Sequence, residues 1–259
     1  MFRVFTLNLR FGLAKDGANS WPFRKYAYPS LLNRFPSDFF CFQEANDFQI
    51  DYIKGLLKSH RVIGRRNPAP AFWQNNVIFY HSKWECFHWE HFFLSPTPDI
   101  PSRYPESRWP RQCTIGVFRN NRRELICVNT HFDFESGVQQ KSAELILCRI
   151  ARFDPVLPTV ILGDFNADPS GACYKSFTRP THGLFPVKAG FKNAFTPPFP
   201  GTHHGFTGSS DGDHIDWILY RGGLTRKSAD VIPGLFNGIY PSDHFPLIAE
   251  FMLEDESGK

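Results

Sequence analysis

Short apolar runs, separated by turns and by a few helical stretches, continue along the whole chain. Eight of these runs have the length and the aromatic or β-branched content that are typical of strands. Many of them are apolar at successive positions, which predicts that both faces of their sheets are covered. The predicted strands span residues 2–9, 38–42, 77–80, 113–118, 125–129, 159–162, 215–220 and 246–252.

Three stretches have a helical pattern. Residues 142–153 place Ala143, Ile146 and Ile150 on one side, which is the spacing of an amphipathic helix, and residues 48–57 give a second candidate. In the third, residues 26–35, Pro29 forbids a straight helix, so we expect the helix to begin there or to kink. The pattern therefore predicts helices packed on sheets.

No internal repeat, Gly/Ser linker or run of charge divides the chain, and we expect a single domain over residues 1–259. Two long irregular stretches, residues 94–112 and 196–213, are rich in Pro, Gly, Ser and charged or aromatic residues. Loops longer than about 12 residues in a compact domain tend to be functional. We expect both to face the substrate.

Composition excludes several classes of protein. With 42% hydrophobic and 21% charged residues, the chain is neither disordered throughout nor collagen-like. A net charge of +4 is too small to establish nucleic-acid binding. No stretch has the ~18 apolar residues of a spanning helix, and the amino terminus lacks the features of a secretory signal. These features predict no membrane span and a cytoplasmic location, and no feature of the sequence requires a protein partner, so we expect a monomer.

The six cysteines contain no CxxC pair, and several lie in apolar runs. We expect reduced thiols in the core rather than disulfides.

Polar side chains follow one predicted strand after another. Such residues can converge at one end of a sheet, where loops carry function on a rigid scaffold. They occur at Asn8, Gln43–Glu44, Asn129–His131, Asp164–Asn166, Asp216 and Asp243–His244.

Each of these residues also has an ordinary structural explanation. Asn8 could be a turn residue, Glu44 or Asp164 could precede a helix, and a single histidine could be structural. Asp216 is harder to explain in this way, because it is flanked by Ile215 and Trp217 and should be buried. Buried carboxylates are rarely without a partner.

If the residues converge, their chemistry is specific. Glu44, Asp164, Asn166, Asp243 and Asn8 offer oxygen donors, which favour Mg²⁺, with Mn²⁺ as a substitute. Such a cation would neutralise phosphoryl oxygens and stabilise a leaving oxygen. Protonated histidines would donate to the same oxygens, and a partner carboxylate would raise the imidazole pKa. The pattern predicts a site that hydrolyses phosphate esters.

The order of these segments resembles the endonuclease/exonuclease/phosphatase superfamily, over residue 2 to about residue 252. The resemblance implies an α/β fold, a four-layer α/β/β/α sandwich in which two mixed β-sheets are flanked by helices. The matching segments are Thr6-Leu7-Asn8, Gln43-Glu44, Asn129-Thr130-His131, Gly163-Asp164-Phe165-Asn166, Ile215-Asp216 and Ser242-Asp243-His244.

The resemblance also implies roles for residues. Glu44 would be the principal Mg²⁺ ligand, Asp243 a further acidic group at the metal, and Asn8 a support for the metal or for a phosphate oxygen. Asp164 and Asn166 would position and activate the attacking water.

Two histidines would then contact the scissile phosphate. His244 would polarise it with Asp216 as its oriented partner, and His131 would contact the same group. Direct attack by water, without a covalent intermediate, is implied, and whether Asp164 or a metal-bound hydroxide is the base stays open.

In more detail the chain resembles a compact microbial branch related to the deadenylase-like members, through residues 92–98, 110–111, 129–133 and 240–246. Arg111 would contact phosphate, or it could be an ordinary surface arginine. Residues 202–206 resemble a loop of this branch, with His204 as a candidate for substrate binding. His203 stands where the resemblance implies an aromatic residue.

The leading functional hypothesis is a nuclease that acts on single strands or ends of DNA or RNA. Basic and aromatic residues interleave between Arg103 and Arg111. Aromatic residues near the site could stack on bases, although most aromatic residues are expected in the core; the candidates are Phe132, Phe134, Phe165, Phe206 and Trp109. The alternative is a phosphatase or phosphodiesterase for a small phosphorylated metabolite, sugar or lipid headgroup. A third hypothesis, a catalytically dead binding module, disagrees with the complete set of predicted catalytic residues.

Overall fold

The chain folds into two six-stranded β-sheets that pack face to face, with helices on both outer faces. The computed structural model describes residues 1–179 and 190–254. The first sheet has the strand order β11-β12-β1-β2-β4-β3, and the second has the order β5-β6-β7-β8-β10-β9. The strands are β1 (Phe2–Asn8), β2 (Phe39–Ala45), β3 (His60–Ile63), β4 (Asn75–His81), β5 (Glu85–Phe93), β6 (Gln112–Asn120), β7 (Arg123–His131), β8 (Thr159–Asp164), β9 (Lys192–Asn193), β10 (Asp216–Arg221), β11 (Leu224–Val231) and β12 (Leu247–Leu253).

Both sheets are mixed. In the first sheet β1 runs parallel to β2 and antiparallel to β12. In the second sheet β7 runs parallel to β8, and β8 runs antiparallel to β10. The helices are α1 (Trp21–Arg24), α2 (Tyr28–Arg34), α3 (Asp47–Leu56), α4 (Ser136–Ile150) and α5 (Ala172–Thr178), with short 3₁₀ helices at Gly17–Asn19 and Lys25–Ala27. The predicted four-layer α/β/β/α arrangement is confirmed.

Alternation along the central strands explains why both of their faces are apolar. In β1, Val4 belongs to the core between the sheets, whereas Phe5 belongs to the core beneath the helices of the first sheet. In β8, Leu162 and Ile161 divide in the same way between the central core and the core beneath the helices of the second sheet. Successive side chains of a strand point to opposite faces, so a strand covered on both sides is apolar throughout.

The eight predicted strands are all present, and the four that the prediction missed are the edges of the two sheets. β3 and β11 lie at the edges of the first sheet, and β5 and β9 lie at the edges of the second. Most residues of β5 and β11 are exposed or half-buried. An edge strand with solvated faces carries more polar residues, and its sequence therefore lacks the apolar run on which the prediction depended.

The predicted helices are present with shifted bounds. The helix expected at 142–153 begins earlier, at Ser136, and α3 begins after Asn46, which forms a capping box with Gln49. α2 begins at Tyr28 with Pro29 in its first turn, as its sequence allows. The short helices α1 and α5 were not predicted.

All six cysteines are free thiols, and four of them are buried. Within residues 1–179 and 190–254, no helix has both the length and the apolar character needed to cross a membrane.

A substitution at Gly163 would test how closely β7 and β8 approach each other next to Asp164. Its φ is +145°, and a Cβ atom there would collide with the backbone oxygen of Thr130. We expect Gly163→Ala to lower the free energy of unfolding by more than about 2 kcal/mol, because the substitution adds backbone strain to a steric clash.

Thermal and denaturant unfolding would measure this effect. Gly137→Ala is the matched control, because a Cβ atom at that helical position meets nothing within 4 Å. A Gly163→Ala protein as stable as the control would contradict the prediction.

Candidate active site

Four central strands end at the same edge of the sandwich. Asn8 is in register with Gln43 across β1 and β2, and His131 is in register with Asp164 across β7 and β8. Asp216 begins β10 directly opposite Asp164. Because β1 and β2 are parallel, as are β7 and β8, the polar residues at their carboxyl ends meet in space.

Glu44 lies in an irregularity of β2 with a left-handed backbone. Its φ is +56°, and the register of β2 against β4 shifts between Phe42 and Ala45. A residue other than glycine in this conformation costs about 1–3 kcal/mol and is typical of functional sites. The Glu44 carboxylate is fixed by the Phe11 N–H, which donates to Oε2 at 2.6 Å, and by Asn8 Nδ2, which donates to Oε1 at 3.2 Å.

Asn8 joins the two sheets. Its Nδ2 donates to Glu44 and also to Asp164 Oδ2 at 2.9 Å, while its Oδ1 accepts from the Arg10 N–H at 2.8 Å. Both ends of the carboxamide are therefore engaged within the protein. The structure gives Asn8 a positioning role, and its predicted contact with metal or substrate stays a prediction.

Asp164 lies at the centre of the cluster and is buried. Oδ1 accepts from the Asn166 N–H at 2.9 Å, and Oδ2 lies 3.4 Å from His131 Nε2 and 3.8 Å from His244 Nε2. Burial and the nearby charge of Asp216 raise the pKa of Asp164 to about 7, although His244 and Asn8 act in the opposite direction. A carboxylate with this pKa suits a general base at neutral pH.

His244 and Asp216 form a buried pair, with 2.8 Å between Nδ1 and Oδ2. Burial would lower the pKa of His244, but the charges of Asp216, Asp164 and Asp243 prevail and raise it to about 10. The imidazole is therefore protonated at neutral pH, and its Nε2 is a charged donor. This pair matches the arrangement that the sequence predicted.

The segment that carries His244 is tied to the end of β1. Ser242 Oγ donates to the backbone oxygen of Asn8 at 2.6 Å. The fully buried Arg24 donates from Nη1 to the backbone oxygens of Leu9 and Pro241, at 2.9 and 2.7 Å. These bonds hold the His244 segment against the strand that carries Asn8.

His131 and Arg111 lie side by side. Arg111 Nη1 is 3.0 Å from His131 Nε2, and the amide nitrogen of Asn166 is 3.0 Å from the same ring atom. Burial, Arg111 and His244 lower the pKa of His131 well below its usual value. His131 is therefore neutral at pH 7, which differs from the expectation that both histidines are protonated.

Asp243 contacts Arg10, which the sequence analysis missed. Arg10 Nη1 lies 3.5 Å from Asp243 Oδ2, and the rest of the guanidinium forms a two-point ion pair with Asp16. Burial would raise the pKa of Asp243, but His244 and Arg10 lower it. Arg10 lies two residues beyond Asn8, the last residue of β1, and that position is the signal that could have identified it.

His204 does not join the cluster. Its ring stacks on Phe245 with 4.0 Å between ring centroids, and burial lowers its pKa to about 4. The neighbouring residue His203 is exposed, and its ring lies 4.8 Å from that of His244. The structure therefore gives His204 a packing role and no support for substrate binding, because its ring is buried against an aromatic neighbour.

Eight of the ten predicted site residues form one connected network of side-chain contacts. Asp243 adjoins this network through Arg10, and His204 packs outside it. The connected residues are Asn8, Glu44, Arg111, His131, Asp164, Asn166, Asp216 and His244.

The donors of the cluster suit a hard divalent cation. Carboxylate oxygens of Asp164 and Asp216 lie within 4.8 Å of each other, and a carboxylate oxygen of Asp243 lies within 4.8 Å of a ring nitrogen of His203. Glu44 is joined to the first group through Asn8. Carboxylate oxygens dominate this set, which fits Mg²⁺ or Mn²⁺ better than a thiolate-binding metal.

A cavity of about 410 Å³ opens beside the cluster. Glu44, Arg10, Arg111 and His131 contribute to its wall, and the remainder is largely aromatic and amide side chains. Ligand pockets commonly have volumes of about 300–1,000 Å³. A ligand bound in this cavity would contact the side of the cluster formed by Glu44, Arg111 and His131.

Residues 5–244 match the model of the Endonuclease/Exonuclease/phosphatase family, and the chain belongs to this family. Its members hydrolyse phosphoester bonds, which confirms the predicted class of enzyme.

Three similar proteins span most of the chain. Carbon catabolite repressor protein 4 homolog 4 of Arabidopsis thaliana is 24% identical over 91% of this chain and 72% of its own length. The crystal structure of an endonuclease/exonuclease/phosphatase from Bacteroides vulgatus is 25% identical, covers 98% of this chain and 99% of its own, and has a TM-score of 0.87. A mannosyl-6-phosphatase of Bacteroides thetaiotaomicron is 24% identical, covers 97% and 100% of the two chains, and has a TM-score of 0.84.

The His244–Asp216 pair can be tested by titration. In Asp216→Asn the charge that holds the imidazolium is lost while burial is kept, so the pKa of His244 should fall from about 10. NMR titration of the His244 ring in the metal-free protein would measure the change. Asp211→Asn, an exposed acidic position, is the control, and a His244 pKa that is equal in both variants would refute the pairing.

Proposed function

We propose that this protein is a Mg²⁺-dependent phosphoesterase, with Mn²⁺ as a substitute, that hydrolyses phosphodiester bonds at single strands or ends of DNA or RNA. The observation that carries the proposal is the meeting of the charged His244–Asp216 pair with the buried Asp164, which Asn8 joins to Glu44 at the wall of the cavity. This arrangement supplies a base, a charged donor and a carboxylate for a cation in one place.

Each residue has its own role in the direct displacement of the leaving group by water. His244 Nε2 and the Arg111 guanidinium hold the non-bridging oxygens of the phosphate. Asp164 accepts the proton of a water whose oxygen bonds to phosphorus as the bond to the leaving oxygen breaks, and Asn166 orients that water. A divalent cation held by Glu44, with Asp243 and Asn8 as further donors, would supply charge to stabilise the leaving oxygen.

His131 acts in its neutral form in this scheme. Its pKa is lowered by burial and by Arg111, so it stays uncharged at neutral pH. A neutral ring can donate one hydrogen bond to a phosphate oxygen and accept another. Its contacts with Asn166 and Arg111 hold that ring at the phosphate position.

The size of the cavity favours a second candidate, a phosphatase or phosphodiesterase for a small phosphorylated metabolite. A volume of about 410 Å³ accommodates a ligand of the size of a nucleotide or sugar phosphate. The same catalytic residues would serve both reactions, so the two candidates differ in the groups esterified to the phosphate.

We also propose a single domain over residues 1–259 that works as a monomer in the cytoplasm. The six free cysteines support this location, because free thiols are typical of a reducing compartment.

Metal dependence is the first test of this function. EDTA should abolish turnover, and Mg²⁺ or Mn²⁺ should restore it, whereas His244→Ala should lose about 10²–10⁴-fold with metal present. Circular dichroism of the variant checks that it is folded, and its low activity in a matched preparation excludes a contaminating nuclease. Full activity in EDTA, or in folded His244→Ala, would refute the mechanism.

Substrate class is the second test. Short single-stranded DNA and RNA oligonucleotides should be cleaved faster than sugar phosphates and other monoesters at equal concentration, as measured by product chromatography and phosphate release. Turnover of monoesters with inert oligonucleotides would reject the nuclease and favour the second candidate.

A further inference from the structure

Three exposed aromatic side chains lie on the wall of the cavity. Phe72, Trp109 and Phe134 are 63%, 52% and 65% exposed, and all three line the cavity beside Glu44. They come from three different loops, between β3 and β4, between β5 and β6, and between β7 and α4. Large aromatic groups are usually buried for the free energy that burial contributes, so three that converge while exposed indicate a binding surface.

The loop that carries Phe72 is held in place by packing of its neighbour, Trp73. Trp73, beside Phe72, also lines the cavity, and its ring packs against Phe93 at 5.9 Å and beneath the guanidinium of Arg66 at 4.3 Å. Phe93 is buried at the end of β5. The loop that carries Phe72 is therefore attached to the second sheet.

Arg111 connects this wall to the catalytic cluster. Its guanidinium carbon lies 5.6 Å from the centre of the Phe134 ring, and its Nη1 lies 3.0 Å from His131. A phosphate held by Arg111 and His131 would thus leave its attached group next to the aromatic side chains.

Part of the polar lining is already engaged within the protein. Among the described residues that line the cavity, Glu44 is the only carboxylate. The amide nitrogens of Asn76 and Gln112 already donate to backbone oxygens, at 2.7 and 2.8 Å. The free surface that remains is largely aromatic, and flat rings stack on such surfaces.

We propose that Phe72, Trp109 and Phe134 form a base-stacking site, which holds the nucleobase of a nucleotide whose phosphate lies at Arg111 and His131. This inference rests on the proposed function and specifies its substrate. The cavity accommodates about one nucleotide, so recognition is of one base next to the scissile phosphate.

Comparing the affinity for AMP with the affinity for ribose 5-phosphate isolates the contribution of the base, because the two ligands share the phosphate and the sugar. Isothermal titration with both ligands requires no turnover. Wild-type protein should bind AMP more tightly, and Trp109→Ala and Phe72→Ala should each weaken AMP binding by roughly 5- to 100-fold, the range typical of stacking on one base. Neither variant should change the binding of ribose 5-phosphate.

Trp89→Ala is the matched control, because Trp89 is 47% exposed on the edge strand β5 and does not line the cavity. It should bind AMP as the wild type does. Equal affinity of the wild type for the two ligands, or equal AMP binding by Trp109→Ala and Trp89→Ala, would overturn the stacking site. Loss of hexose 6-phosphate binding in Trp109→Ala, with AMP unaffected, would identify a sugar ring as the occupant and would also overturn it.

The outcome separates this inference from the proposed function. If Trp109→Ala weakens AMP binding but the wild type cleaves no oligonucleotide, the stacking site stands and the nuclease does not. If oligonucleotides are cleaved and Trp109→Ala binds and cleaves like the wild type, the nuclease stands and the stacking site does not.

Discussion

The active end of the molecule depends on buried amide side chains that must find partners between the two sheets. Gln43 Nε2, from the first sheet, donates to Asn129 Oδ1 of the second at 2.7 Å, and Asn129 Nδ2 returns to the backbone oxygens of Phe42 and Val77. Leaving such a group unpaired in the interior costs about 1–3 kcal/mol. The partners and directions of these bonds fix how the sheets meet at this end.

The rest of the contact between the sheets is apolar and lacks this directionality. Val4, Cys41 and Leu162 belong to the central core, where burial alone favours the packing. The Asn8 bridge to Asp164 belongs to the polar end. Because the residues of the candidate site come from both sheets, the bonds that set the position of the sheets also set the geometry of the site.

Acidic and cationic side chains alternate within the cluster, so that their charges balance. Asp164 and Asp216 are buried close together, which raises the pKa of Asp164, and the protonated ring of His244 lies against both carboxylates. Asp243 is held in the same way between His244 and Arg10. Each carboxylate therefore has a cationic neighbour.

The sequence predicted the inner part of the fold better than its edges, for a physical reason. A central strand such as β8 is covered on both faces and must be apolar throughout, whereas β5 faces solvent and carries polar residues. The site followed the same rule. Residues at the ends of central strands, such as Glu44 and Asp164, could be found because an apolar run stops there.

Properties that depend on neighbours from distant parts of the chain could not be predicted from such runs. The neutral state of His131 follows from burial beside Arg111, and the packing of His204 follows from the place of Phe245. The contact of Arg10 with Asp243, from the other end of the chain, is likewise not revealed by the local sequence. Each of these features depends on which residues the fold brings together.

In these proposals, catalysis and substrate choice depend on different parts of the structure. The residues proposed for the chemistry lie mainly at the ends of strands that two sheets hold in place, whereas Phe72, Trp109 and Phe134 lie on separate loops. A change in any of these loops would alter the wall of the cavity without moving Asp164 or Glu44. Motifs at strand ends can therefore identify a family of phosphoesterases from sequence, while the residues that we propose for substrate recognition lie on loops that no such motif contains.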